Sequence, residues 1–270
     1  DYKSLQGMIA QLEKGGVINL QALDSPLTSF SQVFTHPSAI KVFHALKTYG
    51  VGKKQKGPGE YALACLSNKI RLAAGEGDLD FDGIGKVELK SAVSSTGGRI
   101  GYGGGSQKAK TQALQKYAER IPTVMATLKN NAAGSLGFNK FIPPLVQDLP
   151  LNDNESKQLR GAIIKDLITM DLENFAGPVI DAFMRTDDPV AIEEAYLRAN
   201  FAWYKNRDDF DALMLCSFAN EKFAMIKNDN DLIAFTKSGH AQSRAISMIP
   251  SQAGAGREQW AQLTLNKSKM

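Results

Sequence analysis

The chain has 270 residues, 43% of them hydrophobic and 22% charged, which suits one large domain or two small ones and excludes a wholly disordered protein. Its net charge of +4 permits a nucleic-acid partner without requiring one, and its two cysteines are too few for a disulfide framework, which favours a reducing compartment. No run of residues approaches the roughly 18 to 20 apolar residues of a membrane span. The first residues show no basic region followed by an apolar core, so no secretory signal is expected there.

The predicted elements begin with a mostly helical segment. Apolar residues recur at helical spacing in KSLQGMIAQLEK (3–14), SPLTSFSQVF (25–34) and SAIKVFHALKTYG (38–50), with Ser or Gly residues at their ends. A basic, glycine-containing loop follows at 51–59. Residues 60–73 then predict an amphipathic helix, and Cys65 within it is expected in the core.

Residues 78–92 change to the period-two pattern of β-strands. They predict two short strands joined by the turn Asp82-Gly83-Ile84-Gly85. Residues 106–130 and 155–205 are predicted to be helical, with a break near Pro122. From about residue 210 the pattern is again typical of strands, at FDALMLCSF (210–218), KFAMIK (222–227), DLIAFTK (231–237), SRAISMIP (243–250) and WAQLTLN (260–266), with Cys216 in the core.

These elements predict a mixed α/β fold in four segments. An N-terminal helical segment (1–50) precedes a core that carries the candidate site (51–120). A helical lobe (121–205) and a C-terminal β-rich region (206–270) follow, and the β-rich region is a candidate to complete the core.

The predicted hairpin concentrates acidic side chains. Asp78, Asp80 and Asp82 alternate along the first strand and can share a face, and Glu88 and Lys90 share a face on the second. Strand pairing can bring Asp78 or Asp80 beside Glu88. Two or three convergent carboxylates suit a hard divalent cation. A lysine beside them can orient a water and offset charge on a phosphate.

Asp78, followed ten residues later by Glu88-Leu89-Lys90, resembles the D…(D/E)xK signature of the PD-(D/E)XK nuclease superfamily. The local pattern of an Asp, a DG turn and then VELKSA is most similar to phage exonucleases and endonucleases of that superfamily. Glu60 opens the helix before the hairpin and matches the Glu that the superfamily commonly places there. The resemblance covers roughly residues 55–105, with Gly77 where the superfamily has a loosely kept proline.

The resemblance implies a restriction-endonuclease-like core sheet flanked by helices, and a magnesium-dependent DNA nuclease. Asp78 and Glu88 would hold Mg²⁺, for which Mn²⁺ can substitute, together with the main-chain carbonyl of Leu89. Asp80 stays open as the alternative to Asp78. Lys90 would position or activate the attacking water, and Glu60 would support a second metal or tune the first. An endonuclease of phage or mobile-element type is expected, acting in the cytoplasm, that of the host if it is phage-encoded.

Basic, glycine-rich loops on either side of the hairpin fit a DNA substrate. Glycine allows close approach to phosphate, cations supply salt-dependent affinity, and a tyrosine can stack on a base. The candidate DNA contacts are Lys53, Lys54, Lys56, Arg99, Tyr102, Lys108 and Lys110. No membrane partner is expected, and a homodimer or a phage protein partner is left open.

Two other interpretations stay open. The chain could be a catalytically silent nuclease-fold protein for DNA binding or assembly, or a structural protein whose hairpin charges are merely solvated. The joint presence of Asp78, Glu88 and Lys90 favours catalysis, because a binding protein has no need of all three.

Overall fold

The computed structural model describes residues 2–48, 56–91, 98–99, 112–130, 138–244 and 262–265. Among these, the helices are Tyr2–Glu13 (α1), Leu20–Leu23 (α2), Phe30–Val33 (α3), Pro37–Thr48 (α4), Pro58–Leu66 (α5), Pro122–Asn130 (α6), Phe138–Asp148 (α7), Asn154–Leu172 (α8), Gly177–Arg185 (α9), Pro189–Asp208 (α10) and Asp229–Lys237 (α11). The strands are Thr28–Ser29 (β1), Ile70–Leu72 (β2), Leu79–Phe81 (β3), Gly85–Ser91 (β4), Gly98–Arg99 (β5), Ala212–Ser217 (β6), Lys222–Ile226 (β7), Ala241–Arg244 (β8) and Gln262–Leu265 (β9).

A six-stranded mixed sheet contains the hairpin. Its strand order is β1-β7-β6-β4-β3-β2, with β4 and β6 parallel and the other neighbours antiparallel. Every residue of β6 is buried, as expected for a continuous apolar strand in the middle of a sheet. The mixed α/β class is therefore confirmed. Strands β6 and β7 of the predicted C-terminal β-rich region lie in the same sheet as the hairpin.

One face of this sheet forms a core with the N-terminal helices. Val87 and Leu89 of β4 and Met214 of β6 belong to the same buried cluster as side chains of α1, α4 and α5. Aromatic rings fill part of it, with the centroid of Phe30 5.3 Å from that of Phe43. Because side chains alternate along a strand, Glu88 and Lys90 are directed away from this cluster.

The described residues fall into two compact units. One draws on Asp1–Gly98 and Lys205–His240, and the other on Arg99–Tyr204 and Ala241–Thr264. The second unit contains helices α6 to α9 and most of α10. A separate three-stranded sheet has the order β5-β9-β8. No helix in the described part of the chain is long and apolar enough to cross a membrane.

Several predicted elements are confirmed. The hairpin around the Asp82–Gly85 turn forms strands β3 and β4, and helices are present within 3–14 and 38–50 and over 155–205, as expected. Strands are present within 210–218 and 222–227, and Cys216 is buried. The predicted break near Pro122 coincides with the start of α6.

Two helix–strand predictions are wrong. The helix predicted over 60–73 ends at Leu66, because Ile70–Leu72 pairs with β3 at the edge of the sheet. The strand predicted over 231–237 is instead part of α11. Asn228 caps this helix, because its Oδ1 accepts the Asp231 N–H at 2.9 Å and Asp231 Oδ2 accepts the Asn228 N–H at 3.3 Å. The sequence contains this capping-box pattern at Asn228 and Asp231, but the apolar run LIAF (232–235) led to the prediction of a strand.

Two further expectations near the N-terminal half are corrected. Residues 25–34 do not form one helix starting at Ser25. Thr28–Ser29 pairs with β7, and a single helical turn begins only at Phe30. Cys65 is exposed rather than in the core, because it lies on the side of α5 away from the buried residues Ala62, Leu63 and Leu66.

Candidate functional site

The candidate site lies where β4 extends beyond its pairing with β3. The two strands pair from Phe81↔Gly85 to Leu79↔Val87, and β4 continues beside β6 as far as Ser91. The turn between the strands needs positive φ at Gly83 (80°) and Gly85 (97°), which glycine adopts readily. If this register is extended by one residue, Asp78 lies across from Glu88.

Asp78 is bound to β4 through both its main chain and its side chain. Its N–H donates to the Val87 carbonyl at 3.2 Å, and its Oδ2 accepts the Leu89 N–H at 2.9 Å. The Leu89 N–H lies past the end of the β3 pairing, so the carboxylate takes the place of a strand neighbour. Asp78 is therefore fixed against the segment of β4 that carries the other two site residues.

The ammonium group of Lys90 joins two carboxylates. Its Nζ donates a hydrogen bond to Glu88 Oε1 and lies 3.6 Å from Asp78 Oδ2. Because a hydrogen bond spans at most about 3.2 Å, these two carboxylate oxygens lie within about 7 Å of each other. The side chains of Lys90, Asp78 and Glu88 are only 22%, 15% and 7% exposed. The structure thus brings together the three residues of the predicted signature.

The environment of Asp78 disfavours its charge. Burial raises the pKa of Asp78, and the neighbouring charge of Glu88 raises it further, whereas Lys90, the Leu89 N–H and Lys56 act in the opposite direction. A partly desolvated carboxylate pair of this kind gains from a nearby cation. In the described structure the ammonium of Lys90 supplies that charge.

Glu60 lies near the same site in the first turn of α5. Its Oε2 accepts the Gly57 N–H, so the carboxylate caps its own helix. Burial raises the pKa of Glu60, and the charge of Asp78 raises it further, while the Gly57 N–H and Lys90 lower it. The charges of Asp78 and Lys90 therefore act on Glu60, whose carboxylate already has a structural hydrogen bond.

Asp80 belongs to a different group of charges. It lies across from Arg71 on one side and Lys86 on the other, with Arg71 Nη2 3.6 Å from its Oδ2. Its side chain is 46% exposed, and Arg71 also binds Asp82 at 2.6 Å. The geometry favours Asp78 over Asp80 as the partner of Glu88.

The predicted DNA contacts are mostly beyond what the structure describes. Lys53, Lys54, Tyr102, Lys108 and Lys110 lie outside the described residues, and Arg99 lies in β5 without a described side chain. Lys56 is described, and its Nζ donates to the carbonyl oxygen of Gly77. Sequence reasoning missed this contact, which joins the basic loop to the residue before Asp78.

The backbone at Gly77 excludes a proline at the position before Asp78. Its φ is 77°, in the left-handed region, whereas proline is fixed near −65°. The chain therefore enters β3 through a conformation that a proline cannot adopt.

The donor set fits a small hard cation. Within the described residues, no group of three or more His, Cys, Asp or Glu side chains is arranged to hold a metal ion. Mg²⁺, however, usually keeps several waters and is held by one or two carboxylates together with phosphate oxygens. Asp78 and Glu88 provide such a pair, and the ammonium of Lys90 lies beside both carboxylates.

Comparison with models of protein families, with curated proteins and with solved structures gives no match for this chain. The residues of the site and their geometry are therefore the basis for inferring what the protein does.

Proposed function

We propose that the protein is a divalent-metal-dependent nuclease that hydrolyses phosphodiester bonds in DNA, on a restriction-endonuclease-like core. One observation carries this proposal. The Lys90 ammonium contacts both Asp78 and Glu88, and all three side chains are largely removed from water. Two carboxylates and an ammonium group thus lie together, and these are the groups that metal-dependent hydrolysis of a phosphodiester needs.

Asp78 and Glu88 would hold Mg²⁺ or Mn²⁺, with the main-chain carbonyl of Leu89 as a further oxygen ligand. When bound, the ion would polarise the phosphate and make a coordinated water more acidic. The Lys90 ammonium would leave Glu88 to orient the attacking water and offset the charge that develops on the phosphate. Glu60 would adjust the site through its charge, since its carboxylate is engaged at Gly57.

The sheet supports the core assignment in outline. Helix α5 precedes an antiparallel meander of β2, β3 and β4, and β6 then pairs parallel to β4. The strand that carries Glu88 and Lys90 thus lies inside the sheet, where β6 pairs with this segment on one side and the Asp78 carboxylate binds the Leu89 N–H on the other. A catalytic constellation needs such a support.

A silent nuclease-fold protein is the second candidate, because one observation favours it. Lys90 satisfies both carboxylates without a metal, so the cluster could be a structural ion network. The two candidates differ in their response to metal. A catalytic site binds Mg²⁺ and is stabilised by it, whereas a structural network is indifferent to Mg²⁺.

A DNA cleavage assay tests the proposal. The substrates are supercoiled plasmid, branched duplex and single-stranded DNA, each incubated with Mg²⁺ or with EDTA. We expect Mg²⁺-dependent cutting by the wild type, and a loss of about 100-fold or more in Glu88→Gln and in Lys90→Met. Lys86→Met is the matched control, because Lys86 lies on the same strand and face but pairs with the exposed Asp209.

The control variant should cut at the wild-type rate. Absence of metal-dependent cutting on all three substrates would count against the catalytic proposal. Undiminished cutting by Glu88→Gln would count equally against the assigned site. A Mg²⁺-induced rise in melting temperature that is lost in Glu88→Gln would separate a metal site from a structural network.

A further inference from the structure

The ammonium of Lys56 is directed at the hairpin, although Lys56 belongs to the basic loop before α5. Its Nζ donates to the carbonyl oxygen of Gly77, and the residue is half-buried. The basic, glycine-containing loop at 51–59 makes Lys56 a candidate phosphate contact. An ammonium committed to a main-chain carbonyl is a poorer ligand for a DNA phosphate than a free one.

A hydrogen bond to the Gly77 carbonyl can restrain the backbone just before Asp78. Gly77 adopts a φ of 77°, and glycine has the largest choice of conformations of any residue. Asp78 follows directly, so a rotation at Gly77 would swing the Asp78 carboxylate away from the Leu89 N–H, which it now accepts at 2.9 Å. A hydrogen bond to the Gly77 carbonyl restrains that rotation.

The backbone beside Lys56 is also held in place. Lys56 is followed by Gly57, whose N–H donates to the Glu60 carboxylate in the first turn of α5. The start of α5 therefore holds the lysine backbone, while its side chain holds the start of β3. The positive charge of Lys56 also acts on Asp78 and Glu60, where it opposes the rise in their pKa.

We propose that Lys56 is a positioning residue that holds Asp78 in its ligand geometry, and not a contact for the DNA backbone. The inference rests on the proposed function for its catalytic consequence, but its structural content is independent of catalysis. It predicts that Lys56 affects the Leu89 amide and the turnover step, and leaves the electrostatic affinity for DNA unchanged.

The first experiment measures hydrogen exchange at the Leu89 amide in metal-free protein. Lys56→Met should speed this exchange by about 10-fold or more, because the carboxylate that protects the amide becomes mobile. Lys56→Arg should restore the wild-type rate, since a guanidinium can also donate to a carbonyl. Lys69→Met is the matched control for loss of charge, because Lys69 is exposed in the turn between α5 and β2. If Lys56→Met fails to fold, Lys56→Gln takes its place.

The second experiment measures DNA cleavage and binding by the same variants. We expect Lys56→Met to lower kcat with little change in KM and to require more Mg²⁺ for half-maximal rate, and Lys56→Arg to recover. A true phosphate contact would instead reduce the slope of log affinity against log salt concentration by about 1.

The outcomes separate the two proposals. An unchanged Leu89 exchange rate in Lys56→Met overturns the positioning role, as does a reduced salt slope with kcat intact. If the wild type cuts no DNA but Leu89 exchange accelerates in Lys56→Met alone, the nuclease proposal fails and the positioning of Asp78 stands.

Discussion

Replacing Lys90 by Met should destabilise the metal-free protein far more than replacing Lys86 by Met. Both lysines lie on β4 and on the same face, and both pair with carboxylates. They differ in burial. Lys90 is 22% exposed and its partner Glu88 is 7% exposed, whereas Lys86 and Asp209 are 45% and 68% exposed. The comparison therefore isolates the effect of burial on an ion pair.

The expected magnitudes follow from that difference. Breaking a buried ion pair by removing one partner costs about 3–5 kcal/mol, because a charge is left buried without a counter-charge. Lys90 is not fully buried, so we expect the lower end, about 3 kcal/mol. An exposed pair contributes about 0–1 kcal/mol. The two variants should thus differ by about 2 kcal/mol or more.

Mg²⁺ should reduce the difference in stability between Lys90→Met and Lys86→Met. In Lys90→Met the carboxylates of Asp78 and Glu88 lose the Lys90 ammonium, so Mg²⁺ gains more from binding there than in the wild type. The Mg²⁺-dependent stabilisation should be larger in Lys90→Met and equal to wild type in Lys86→Met. In the double variant Glu88→Gln, Lys90→Met, part of the lost stability should return, since one stranded charge is removed.

The assay is urea unfolding in EDTA and in Mg²⁺, followed through hydrogen exchange of the β4 amides. This readout separates the unit that contains the hairpin from the second unit, whose unfolding need not coincide. Equal stabilities of Lys90→Met and Lys86→Met in EDTA would refute the reasoning, because the ammonium would then not be coupled to buried carboxylates. Equal responses to Mg²⁺ would refute the metal-site assignment.

Three further predictions concern the supports of the two units and the pH. Arg160→Met should cost about 2 kcal/mol or more in urea unfolding, because the buried guanidinium donates to the Leu149 carbonyl at 3.2 Å and to the Thr186 carbonyl, and both acceptors lose a charged donor; Arg185→Met, 79% exposed, should cost less than about 0.5 kcal/mol. Gly85→Ala should cost more than about 2 kcal/mol, since its Cβ would lie 2.9 Å from Asp211 Cγ at a φ of 97°. Gly83→Ala, at a φ of 80° with open space, should cost about 1 kcal/mol by the same urea measurement. Without metal, stability should fall as the pH rises from the ordinary carboxylate range through the raised pKa values of Asp78 and Glu60, because the folded state binds those protons more tightly than the unfolded chain; urea midpoints at successive pH values should show a smaller fall in Asp78→Asn than in the wild type, since only the Glu60 contribution remains.

The hairpin shows which features of the fold can be predicted from neighbouring residues alone. Alternation placed Glu88 and Lys90 on one face, and the DG turn located the reversal, because both are properties of neighbouring residues. Predictions from local pattern were wrong at 60–73, where a helix was expected throughout, and at 231–237, where a strand was expected. In the first, pairing of Ile70–Leu72 with β3 overrode a helical pattern. In the second, the cap at Asn228 decided the structure, and a short apolar run could not be assigned from its periodicity alone.

Within the candidate site, alternation could not choose between Asp78 and Asp80. Both occupy the same face of β3, and only strand register decides which one stands across from Glu88. The register Leu79↔Val87 assigns that place to Asp78 and sets Asp80 opposite Lys86.

By itself, the sequence determined which charged side chains of the hairpin share a face, since that follows from the alternation of residues in the acidic strand and the ExK strand on either side of a DG turn. Net charge was uninformative, because +4 averages an acidic hairpin with basic loops. The tertiary structure alone decided three things: the pairing of β4 with β6 from far along the chain, the removal of Asp78, Glu88 and Lys90 from water, and the commitment of Lys56 to Gly77. Each depends on contacts between residues distant in sequence, and neither periodicity nor composition carries that information.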